Sequence, residues 1–388
     1  MDAAVDAIGE QFALNADQRA IQDMTRSFAA ERVAPFALEW DQKAHFPIDV
    51  IKETGPLGFG GIYVRDDVGG SALGRLDAVL IFEALSAACP GFSSFISIHN
   101  MAAWMIDSFG NEEQRQRFLP KLTSMEWLAS YCLTEPGSGS DAAALSTRAV
   151  RDGDEYVLNG SKQFISGAGS TDLYVTMVRT GEDGPKGVST LIIPKDAPGL
   201  SFGPAEKKMG WHMQPTRQVI FEDCRVPAEN LLNDEGRGFS IAMAGLDGGR
   251  LNIAACSLGG AQAAIDKALE YTGERKAFGQ PINRFQGLQF KLADMETNLN
   301  ACRMMLYTAA SRLDAKAHDA SKWSAMAKRF VTDTCFDIAN DALQLHGGYG
   351  YLHEYGMEKL VRDLRVHQIL EGTNEIMRVI IARHMIGR

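Results

Sequence analysis

The distribution of proline along the chain is the feature that most restricts its possible folds. Seven of the thirteen prolines lie between Pro136 and Pro227, and only Pro281 follows them. Proline lacks an N–H group and disrupts helix interiors, so a proline-poor stretch with recurring apolar residues favours long helices, whereas a proline- and glycine-punctuated stretch favours strands and turns. The chain is therefore predicted to consist of helices, then a small β-rich part, then helices again.

The apolar periodicity supports the first, helical part. Residues 1 to about 125 place apolar residues at helical spacing, and the segment 76–88 is apolar on most sides, which predicts a buried helix. Asn111 precedes two glutamates and is predicted to cap a helix, with the next boundary expected at Pro120.

Short β-branched and aromatic runs dominate the middle part, from about 126 to 232, and predict strands at LASYCLT, STRAV, EYVLNGSKQFI, LYVTMVR (173–179), VSTLIIP and RQVIFEDCRV. Hairpin turns are predicted at 151–154 and at Asn159-Gly160. Consecutive strands without intervening helices indicate an antiparallel barrel or sandwich. After residue 237 the helical period returns, most clearly over 285–314 and 323–346, and predicts a bundle of four or five long helices. The predicted class is α+β, with an N-terminal helical domain, a middle antiparallel β-barrel or sandwich domain and a C-terminal helical bundle, over 1–125, 126–236 and 237–388.

Composition excludes several classes of function. At 388 residues the chain is long enough to form more than one core. Its residues are 45% apolar and 23% charged, which is typical of globular proteins, and its formal net charge is −10. An acidic chain is a poor candidate for a nucleic-acid binder. The sequence contains no uninterrupted apolar run of about 18 residues, so no membrane span is predicted. The six cysteines lie far apart without a CxxC pair, so we expect reduced thiols rather than a metal site or a disulfide framework.

The first residues of the chain are acidic and lack a long apolar run. They match neither a secretory signal nor an Arg-rich transit peptide. We therefore expect a bacterial cytoplasmic protein, or a mitochondrial matrix protein if a presequence has been removed.

Two Gly-rich stretches could bind a cofactor. In residues 131–141, YCLTEPGSGSD, the spacing Gly137-x-Gly139-x-x-Ala142 loosely matches a dinucleotide fingerprint, but the predicted hairpins that follow exclude the βαβ unit that this fingerprint requires. What remains is a turn that suits a flavin edge or a phosphate, or is only a turn. In residues 344–351, QLHGGYGY, the paired glycines predict a helix C-cap that also permits close approach of a ligand, and His346 is more often a packed core residue than a catalyst.

A third stretch begins with RKAFGQPI, and residues 275–284 contain three cations, Arg275, Lys276 and Arg284, near a helix break at Pro281. These cations could bind a pyrophosphate, although a solvated charged loop is the simpler interpretation.

The fourth stretch, ILEGTNEI, contains the strongest candidate for a catalytic group. Glu371 follows two aliphatic residues, and Thr373 or Asn374 is predicted to cap a last helix. Apolar surroundings disfavour a charged carboxylate, so its pKa would rise towards neutrality and make it a usable base. Alternatively, Glu371 itself caps the helix or pairs with Arg365 or Arg378.

Taken together, YCLTEPGSGSD, RKAFGQPI, QLHGGYG and ILEGTNEI resemble the acyl-CoA dehydrogenase family over essentially the whole chain. Longer runs such as SIHNMAAWMIDSFGNEEQR and GGRLNIAACSLG are similar to the members that oxidise isobutyryl-CoA to methacrylyl-CoA in valine breakdown. The resemblance implies a homotetramer with FAD between domains and across a subunit boundary, an acyl-CoA substrate and electron-transfer flavoprotein as electron acceptor.

The resemblance also assigns residues. Around the isoalloxazine it implies Tyr131, Cys132, Leu133, Thr134, Gly139, Ser140, Phe164, Ile165 and Ser166. At the pyrophosphate and adenosine end it implies Arg275, Phe278 and Gln286, with Gln344, Leu345, Gly347 and Gly348 of a neighbouring subunit, while Thr373, Asn374 and Glu375 also contact FAD. For acyl-CoA it implies Ser140, Asp247, Gly248, Gly249, Arg250, Gly372 and Arg383.

The implied reaction is α,β-dehydrogenation, with Glu371 as the base. Many relatives have Trp-Ile-Thr where this chain has Phe164-Ile165-Ser166, from which we expect retained binding with altered shielding of the flavin. Some carry the base at the position of Gly249, which cannot abstract a proton, so Glu371 is the only aligned candidate. The alternatives are another short-chain acyl-CoA dehydrogenase (2-methylbutyryl-, butyryl- or isovaleryl-CoA), an acyl-CoA oxidase, and a catalytically silent helical scaffold.

Overall fold

The computed structural model describes residues 14–387. The first thirteen residues, on which the expectation about targeting signals rests, and Arg388 lie outside this range. Within residues 14–387, no helix combines the length and the apolar character needed to cross a lipid bilayer.

Helices form the first part of the described chain. They are α1 (Ala16–Phe28), α2 (Ala37–Lys43), α3 (Ile48–Lys52), α4 (Arg75–Ala88), α5 (Pro90–Phe109) and α6 (Glu112–Thr123). Helix α4 is buried along most of its length, which confirms the buried helix predicted over 76–88. Its neighbour α5 is equally enclosed, because both helices pack against the central helix of the C-terminal part.

Helix α6 begins as predicted but ends later. The Asn111 side chain accepts a hydrogen bond from the Gln114 N–H at 2.8 Å, and the Gln114 side chain accepts from the Asn111 N–H at 3.1 Å, which forms a capping box. The boundary expected at Pro120 is wrong, because the helix continues through it to Thr123. Leu119 and Leu122 are fully buried on either side of Pro120, and this burial offsets the hydrogen bond that proline cannot donate.

A seven-stranded sheet forms the middle part. Its strands are β1 (Ala129–Cys132), β2 (Arg148–Asp152), β3 (Glu155–Ser166), β4 (Leu173–Arg179), β5 (Val188–Pro194), β6 (Leu200–Phe202) and β7 (Thr216–Pro227), of which the sequence did not predict β6. The order across the sheet is β1-β4-β2-β3-β7-β6, and β5 pairs with β4. The sheet is mixed rather than purely antiparallel, because β4 runs parallel to β1 and to β2. The connection from β3 to β4 crosses over β2, whereas consecutive hairpins would place β4 next to β3.

One of the two predicted hairpin turns is wrong. The turn at 151–154 is confirmed, since β2 and β3 pair antiparallel up to Asp152 and Glu155. Asn159-Gly160 lies inside β3, where the register with β7 shifts between Leu158 and Gly160. A side chain at Gly160 would meet the Thr147 Cα at 2.7 Å, and its φ is +137°. The glycine therefore serves a strand irregularity with close backbone approach rather than a turn.

Helices return in the last part. They are α7 (Gly238–Glu274), α8 (Gln286–Asp314), α9 (Ala320–Leu345), α10 (Met357–Arg365) and α11 (Asn374–Ile386), and a two-stranded hairpin of β8 (Lys276–Ala277) and β9 (Gln280–Pro281) joins α7 to α8. The long helices predicted over 285–314 and 323–346 are thus confirmed. Helix α7 packs against α4, α5, α8 and α9 and lies at the centre of the molecule.

Candidate functional site

Glu371 lies in a tight turn immediately before α11. Its φ is +54° and that of Gly372 is +90°, so two consecutive residues adopt the left-handed backbone region. Thr373 then caps α11, because its side chain accepts a hydrogen bond from the Ile376 N–H at 3.4 Å. The turn directs the Glu371 side chain away from the helix axis and towards α7.

The Glu371 carboxylate has no polar partner of its own. Its Oε2 atom is buried and forms no hydrogen bond, although most buried polar atoms in proteins are paired. The alternative interactions are absent, since Arg365 donates to Gln368 and Arg378 pairs with Glu375 and Asp333. Burial raises the pKa of Glu371 to about 7, although Arg250 and Lys328 act in the opposite direction.

Two consecutive glycines of α7 make room for charged side chains. A Cβ at Gly249 would lie 2.9 Å from the Glu371 Cδ and 3.1 Å from its Oε1, with Oε2 nearer still. A Cβ at Gly248 would lie 2.8 Å from the Arg75 Cζ, and this guanidinium stacks 3.7 Å above the ring centroid of Tyr63. The helix surface at 248–249 is therefore concave because it lacks side chains.

Further unpaired polar atoms surround the carboxylate. The Tyr131 hydroxyl and the Asn252 Oδ1 are buried without hydrogen-bond partners. The Asn252 Nδ2 donates to the Tyr63 hydroxyl at 3.1 Å. Burial raises the pKa of Tyr131, and the Glu371 charge raises it further. Burial also raises the pKa of Tyr63, and the Glu371 charge acts in the same direction. We call this region, bounded by Tyr63, Tyr131, Gly249, Asn252 and Glu371, the Glu371 pocket.

Strands β1 and β3 bring two of the predicted cofactor stretches together. The Gln163 N–H donates to the Thr134 carbonyl at 2.8 Å, and the Ser130 hydroxyl donates to the Ser166 carbonyl at 2.6 Å. Phe164 has a φ of +60° and is 63% exposed, so its ring stands free of the sheet while Ile165 is buried. Nothing lies within 4 Å of a Cβ built at Gly137 or Gly139, which leaves the surface beside β1 open to a flat ligand.

A buried ion pair supports this surface from below. The Lys162 ammonium donates to the Glu135 carboxylate at 2.6 Å and to the Leu133 carbonyl at 3.2 Å. Glu135 also accepts from the Ser146 N–H at 2.6 Å and the Thr147 N–H at 2.9 Å. The segment that follows β1 is thus held by a network rather than left as a free turn.

A cavity of about 600 Å³ lies at the end of α9. We call it the Arg275 cavity; its wall includes Tyr271, Arg275, Leu288, Lys291 and residues 344–349. Gln344, Leu345, Gly347 and Gly348 therefore line the same cavity as Arg275, and the contact of the 344–348 loop with the FAD of a neighbouring subunit stays a prediction. His346 is buried and stacks on Tyr271 at 4.4 Å, in agreement with a packed core histidine.

Other assigned residues lie elsewhere. Phe278 is 94% exposed at the tip of the β8–β9 hairpin, and Gln286 begins α8 next to the Arg275 cavity. Glu375 and Arg383 are exposed on α11, and Arg383 lies about 13 Å along this helix from Asn374. The structure therefore does not bring Arg383 to the Glu371 pocket. Within residues 14–387, no group of three His, Cys, Asp or Glu side chains could hold a metal ion, and the six cysteines are unpaired and buried.

Three residues beside the site are not among those that the sequence predicts: Tyr63, Arg75 and Lys328. Lys328 is fully buried on α9, and its ammonium donates to the Gly372 carbonyl and to the Asn374 side chain, each at 2.8 Å. A lysine within the apolar stripe of a helix was a detectable signal. The positions of Tyr63 and Arg75 follow only from packing between distant segments.

A carboxylate with one buried, unpaired oxygen and a pKa near neutrality, close to unpaired hydroxyl and amide atoms, suits an enzyme that removes a proton from a bound molecule. The open aromatic surface beside it suits a planar cofactor. Comparisons with known proteins then define the class further.

Family models cover nearly the whole chain. The acyl-CoA dehydrogenase N-terminal domain matches residues 15–126, the middle domain 130–224 and the C-terminal domain 236–386. The chain is 58% identical to an isobutyryl-CoA dehydrogenase, mitochondrial, of Dictyostelium discoideum, over 96% of this chain and 90% of that protein. It is 55% identical to the protein of the same name from Bos taurus, over 98% and 92%.

A solved structure agrees with these matches. Butyryl-CoA dehydrogenase from Megasphaera elsdenii superposes with a TM-score of 0.94 at 36% identity, covering 97% of this chain and 99% of that one. The chain belongs to the acyl-CoA dehydrogenase family. It is an FAD-dependent oxidoreductase with the fold of that family: an N-terminal helical, a middle β and a C-terminal helical part.

Proposed function

We propose that this protein dehydrogenates a short branched-chain acyl-CoA between Cα and Cβ, with isobutyryl-CoA as the favoured substrate and Glu371 as the base. The observation that carries this proposal is the buried and unpaired Oε2 atom of the Glu371 carboxylate. A carboxylate needs a pKa near the working pH to take the weakly acidic α-proton of a thioester, and burial supplies it. The relatives named above support the choice of acyl group.

The α-proton also has to be made more acidic. We propose that the Glu371 N–H helps by donating to the thioester carbonyl, where negative charge develops. Among the described residues no acceptor takes this N–H, and the two left-handed residues of the turn keep it outside any helix. The same residue then polarises the substrate through its backbone and accepts the proton through its side chain.

The surroundings of Glu371 fit FAD. The residues that would hold its ring are Tyr131, Cys132, Leu133, Thr134, Gly139, Ser140, Phe164, Ile165 and Ser166, with Thr373, Asn374 and Glu375 near the turn. The residues that would hold its pyrophosphate and adenosine are Arg275, Phe278, Gln286, Gln344, Leu345, Gly347 and Gly348, around the Arg275 cavity. When bound, FAD supplies the acceptor for the hydride that leaves Cβ.

Acyl-CoA would lie against α7 and the turn. The residues proposed to contact it are Ser140, Asp247, Gly248, Gly249, Arg250, Gly372 and Arg383. Arg250 is buried, pairs with Asp247 at 2.7 Å and donates to the Glu371 carbonyl at 3.3 Å. Because Arg383 is remote from the pocket within one chain, its proposed contact is with the distal part of CoA.

A homotetramer is the proposed assembly, with 1–125, 126–236 and 237–388 as its domains. Large apolar side chains are exposed on the C-terminal part: Phe278, Phe290, Tyr351, Met385 and Ile386, at 94%, 60%, 81%, 75% and 64%. Exposed apolar surface of this kind favours association. Size-exclusion chromatography with light scattering tests the assembly, and a monomeric mass would contradict it.

We propose electron-transfer flavoprotein as the electron acceptor and, from the six buried thiols, a reducing compartment such as the bacterial cytoplasm. Oxygen distinguishes this acceptor from the oxidase reaction. Reduced enzyme mixed with aerated buffer in a stopped-flow instrument should reoxidise slowly, whereas rapid reoxidation would favour an oxidase.

The function itself is tested by mixing the FAD-loaded protein anaerobically with isobutyryl-, 2-methylbutyryl-, butyryl- and isovaleryl-CoA. Isobutyryl-CoA should bleach the flavin absorbance with the highest rate constant divided by Kd. Discrimination per methylene is worth only about 1–3 kcal/mol, so the panel should show a graded preference. Absence of bleaching by all four thioesters would overturn the proposal.

A further inference from the structure

Lys328 is a buried cation without an anionic partner in contact. Its side chain has no exposed surface, and within residues 14–387 no carboxylate pairs with its ammonium. Lysine is almost never fully buried unless it is paired, because removing an ammonium from water is costly.

The hydrogen bonds of Lys328 all go to the turn that carries Glu371. Its ammonium donates to the Gly372 carbonyl at 2.8 Å and to the Asn374 Oδ1 at 2.8 Å. Asn374 is fixed in turn, since its Nδ2 donates to the Thr332 hydroxyl at 3.0 Å and the Asp333 carboxylate at 2.6 Å. Helix α9 thus anchors the turn immediately after Glu371, where the backbone is in the left-handed region.

The charge of Lys328 acts on Glu371 more directly than on any other anion. The Glu371 carboxylate has the largest effect of any charge on Lys328, ahead of Asp333. Two cations favour the ionised form of Glu371: Arg250, whose effect on the Glu371 pKa is the larger and which also pairs with Asp247, and Lys328, which has no anionic partner in contact. Other titratable and charged groups surround Glu371 and Lys328. They are Asp247, Arg250 and Cys256 from α7, Tyr131 from β1, Tyr63 before α4, Asp333 from α9, His367 before the turn and Glu375 from α11.

We propose that Lys328 is a positioning residue for the proposed dehydrogenation: it anchors the Glu371–Gly372 turn through the Gly372 carbonyl, and its charge favours the ionised form of the Glu371 carboxylate. This inference rests on the proposed function. The ammonium does not touch the substrate. It acts through the geometry and the proton affinity of the base.

Three variants separate the two parts of this role. Lys328→Gln removes the charge but keeps an amide donor, one bond shorter than the ammonium, and Lys328→Met removes both the charge and the donor. Lys322→Met is the matched control, since Lys322 lies on the same helix, is partly exposed and pairs with Asp319 at 3.7 Å. Anaerobic flavin reduction by isobutyryl-CoA is measured against pH for each FAD-loaded protein.

Loss of a nearby positive charge makes a carboxylate harder to ionise. In both Lys328 variants the increase of the flavin-reduction rate with pH should therefore occur at a higher pH than in the wild type. We expect the half-maximal pH to move up by about one unit in Lys328→Gln and Lys328→Met, with no shift in Lys322→Met. The maximal rate should fall further in Lys328→Met, by about 10-fold or more, because the turn is then also loosened.

An infrared titration of the resting proteins provides a readout without turnover. The carboxylic-acid band that is absent from Glu371→Gln should disappear at higher pH in the Lys328 variants than in the wild type. An unshifted half-maximal pH and an unshifted band in Lys328→Gln would overturn the inference, and this variant decides alone if Lys328→Met does not fold. Failure of the proposed function is distinguishable, because the wild-type flavin would then not be reduced.

Discussion

Gly249→Ala should remove activity while leaving the fold intact. A Cβ at position 249 lies 2.9 Å from the Glu371 Cδ, which falls about 0.5 Å short of the 3.4 Å of an ordinary contact, and Oε2 is nearer still. The carboxylate must therefore move by about 0.5–1 Å. Misplacement of a reacting group by about 1 Å can cost about 10²-fold in rate, and we expect a loss of this size in flavin reduction by isobutyryl-CoA.

The stability of this variant makes the prediction specific. Alanine is favoured over glycine in a helix interior by about 0.5–1 kcal/mol, and the neighbour that must give way is the end of a side chain. We therefore expect an unchanged or higher midpoint of urea unfolding together with normal FAD content. A stable, flavin-loaded and slow enzyme is the predicted combination.

Gly273→Ala is the matched control, since it lies on the same helix and its Cβ would meet only the Asn283 Nδ2, at 3.6 Å. It should gain similar stability and keep the wild-type rate. If Gly249→Ala reduced its flavin at the wild-type rate, the position of the Glu371 carboxylate against α7 would not matter for catalysis, and the reasoning would be refuted.

Three further predictions concern charge. The flavin-reduction rate at low isobutyryl-CoA should rise with pH to half its maximum near pH 7, because burial raises the pKa of Glu371 to about 7 and only the carboxylate accepts a proton; a flat profile from about pH 5 to 9 would contradict this. Lys162→Met should lower the free energy of urea unfolding by about 3–5 kcal/mol, since it strands the buried Glu135. Burial opposes ionisation of Glu135, yet Lys162 and hydrogen bonds lower its pKa to about 2 from an ordinary 4.5. The stability that Glu135 confers is therefore present above pH 4.5 and lost as the pH falls towards 2. An unfolding free energy that does not change on substitution of Lys162 would show that the ion pair is dispensable. Arg275→Ala should weaken FAD binding by about 10–100-fold through loss of a charge-assisted contact, as measured by fluorescence titration of the apoprotein, and an unchanged Kd would remove Arg275 from the cofactor site.

Local patterns predicted the elements well where one local preference dominated. The run 173–179 became β4 with the same bounds, because four of its seven residues are β-branched or aromatic. The predictions failed where a distant segment decided the conformation. Gly160 is a strand residue because the backbone at Thr147 approaches it, and Pro120 stays in its helix because Leu119 and Leu122 are buried. The parallel pairing of β1 and β4 likewise depends on a crossover that no local motif contains.

The candidate site shows the same division. Glu371 could be predicted as the base from the sequence, because its apolar neighbours and the residues that carry the family resemblance lie together in one short motif. The space for its side chain depends on Gly249, more than a hundred residues away, and its charge environment depends on Lys328 on another helix. Only packing of α7, α9 and the turn before α11 brings these residues together.

Glu371→Gln tests the assignment of the base most directly. The amide keeps the size of the side chain and cannot accept the α-proton, so FAD content and isobutyryl-CoA affinity should persist while anaerobic flavin reduction slows by at least about 10⁴-fold. Flavin reduction within about tenfold of the wild-type rate would contradict the role of Glu371 as the base.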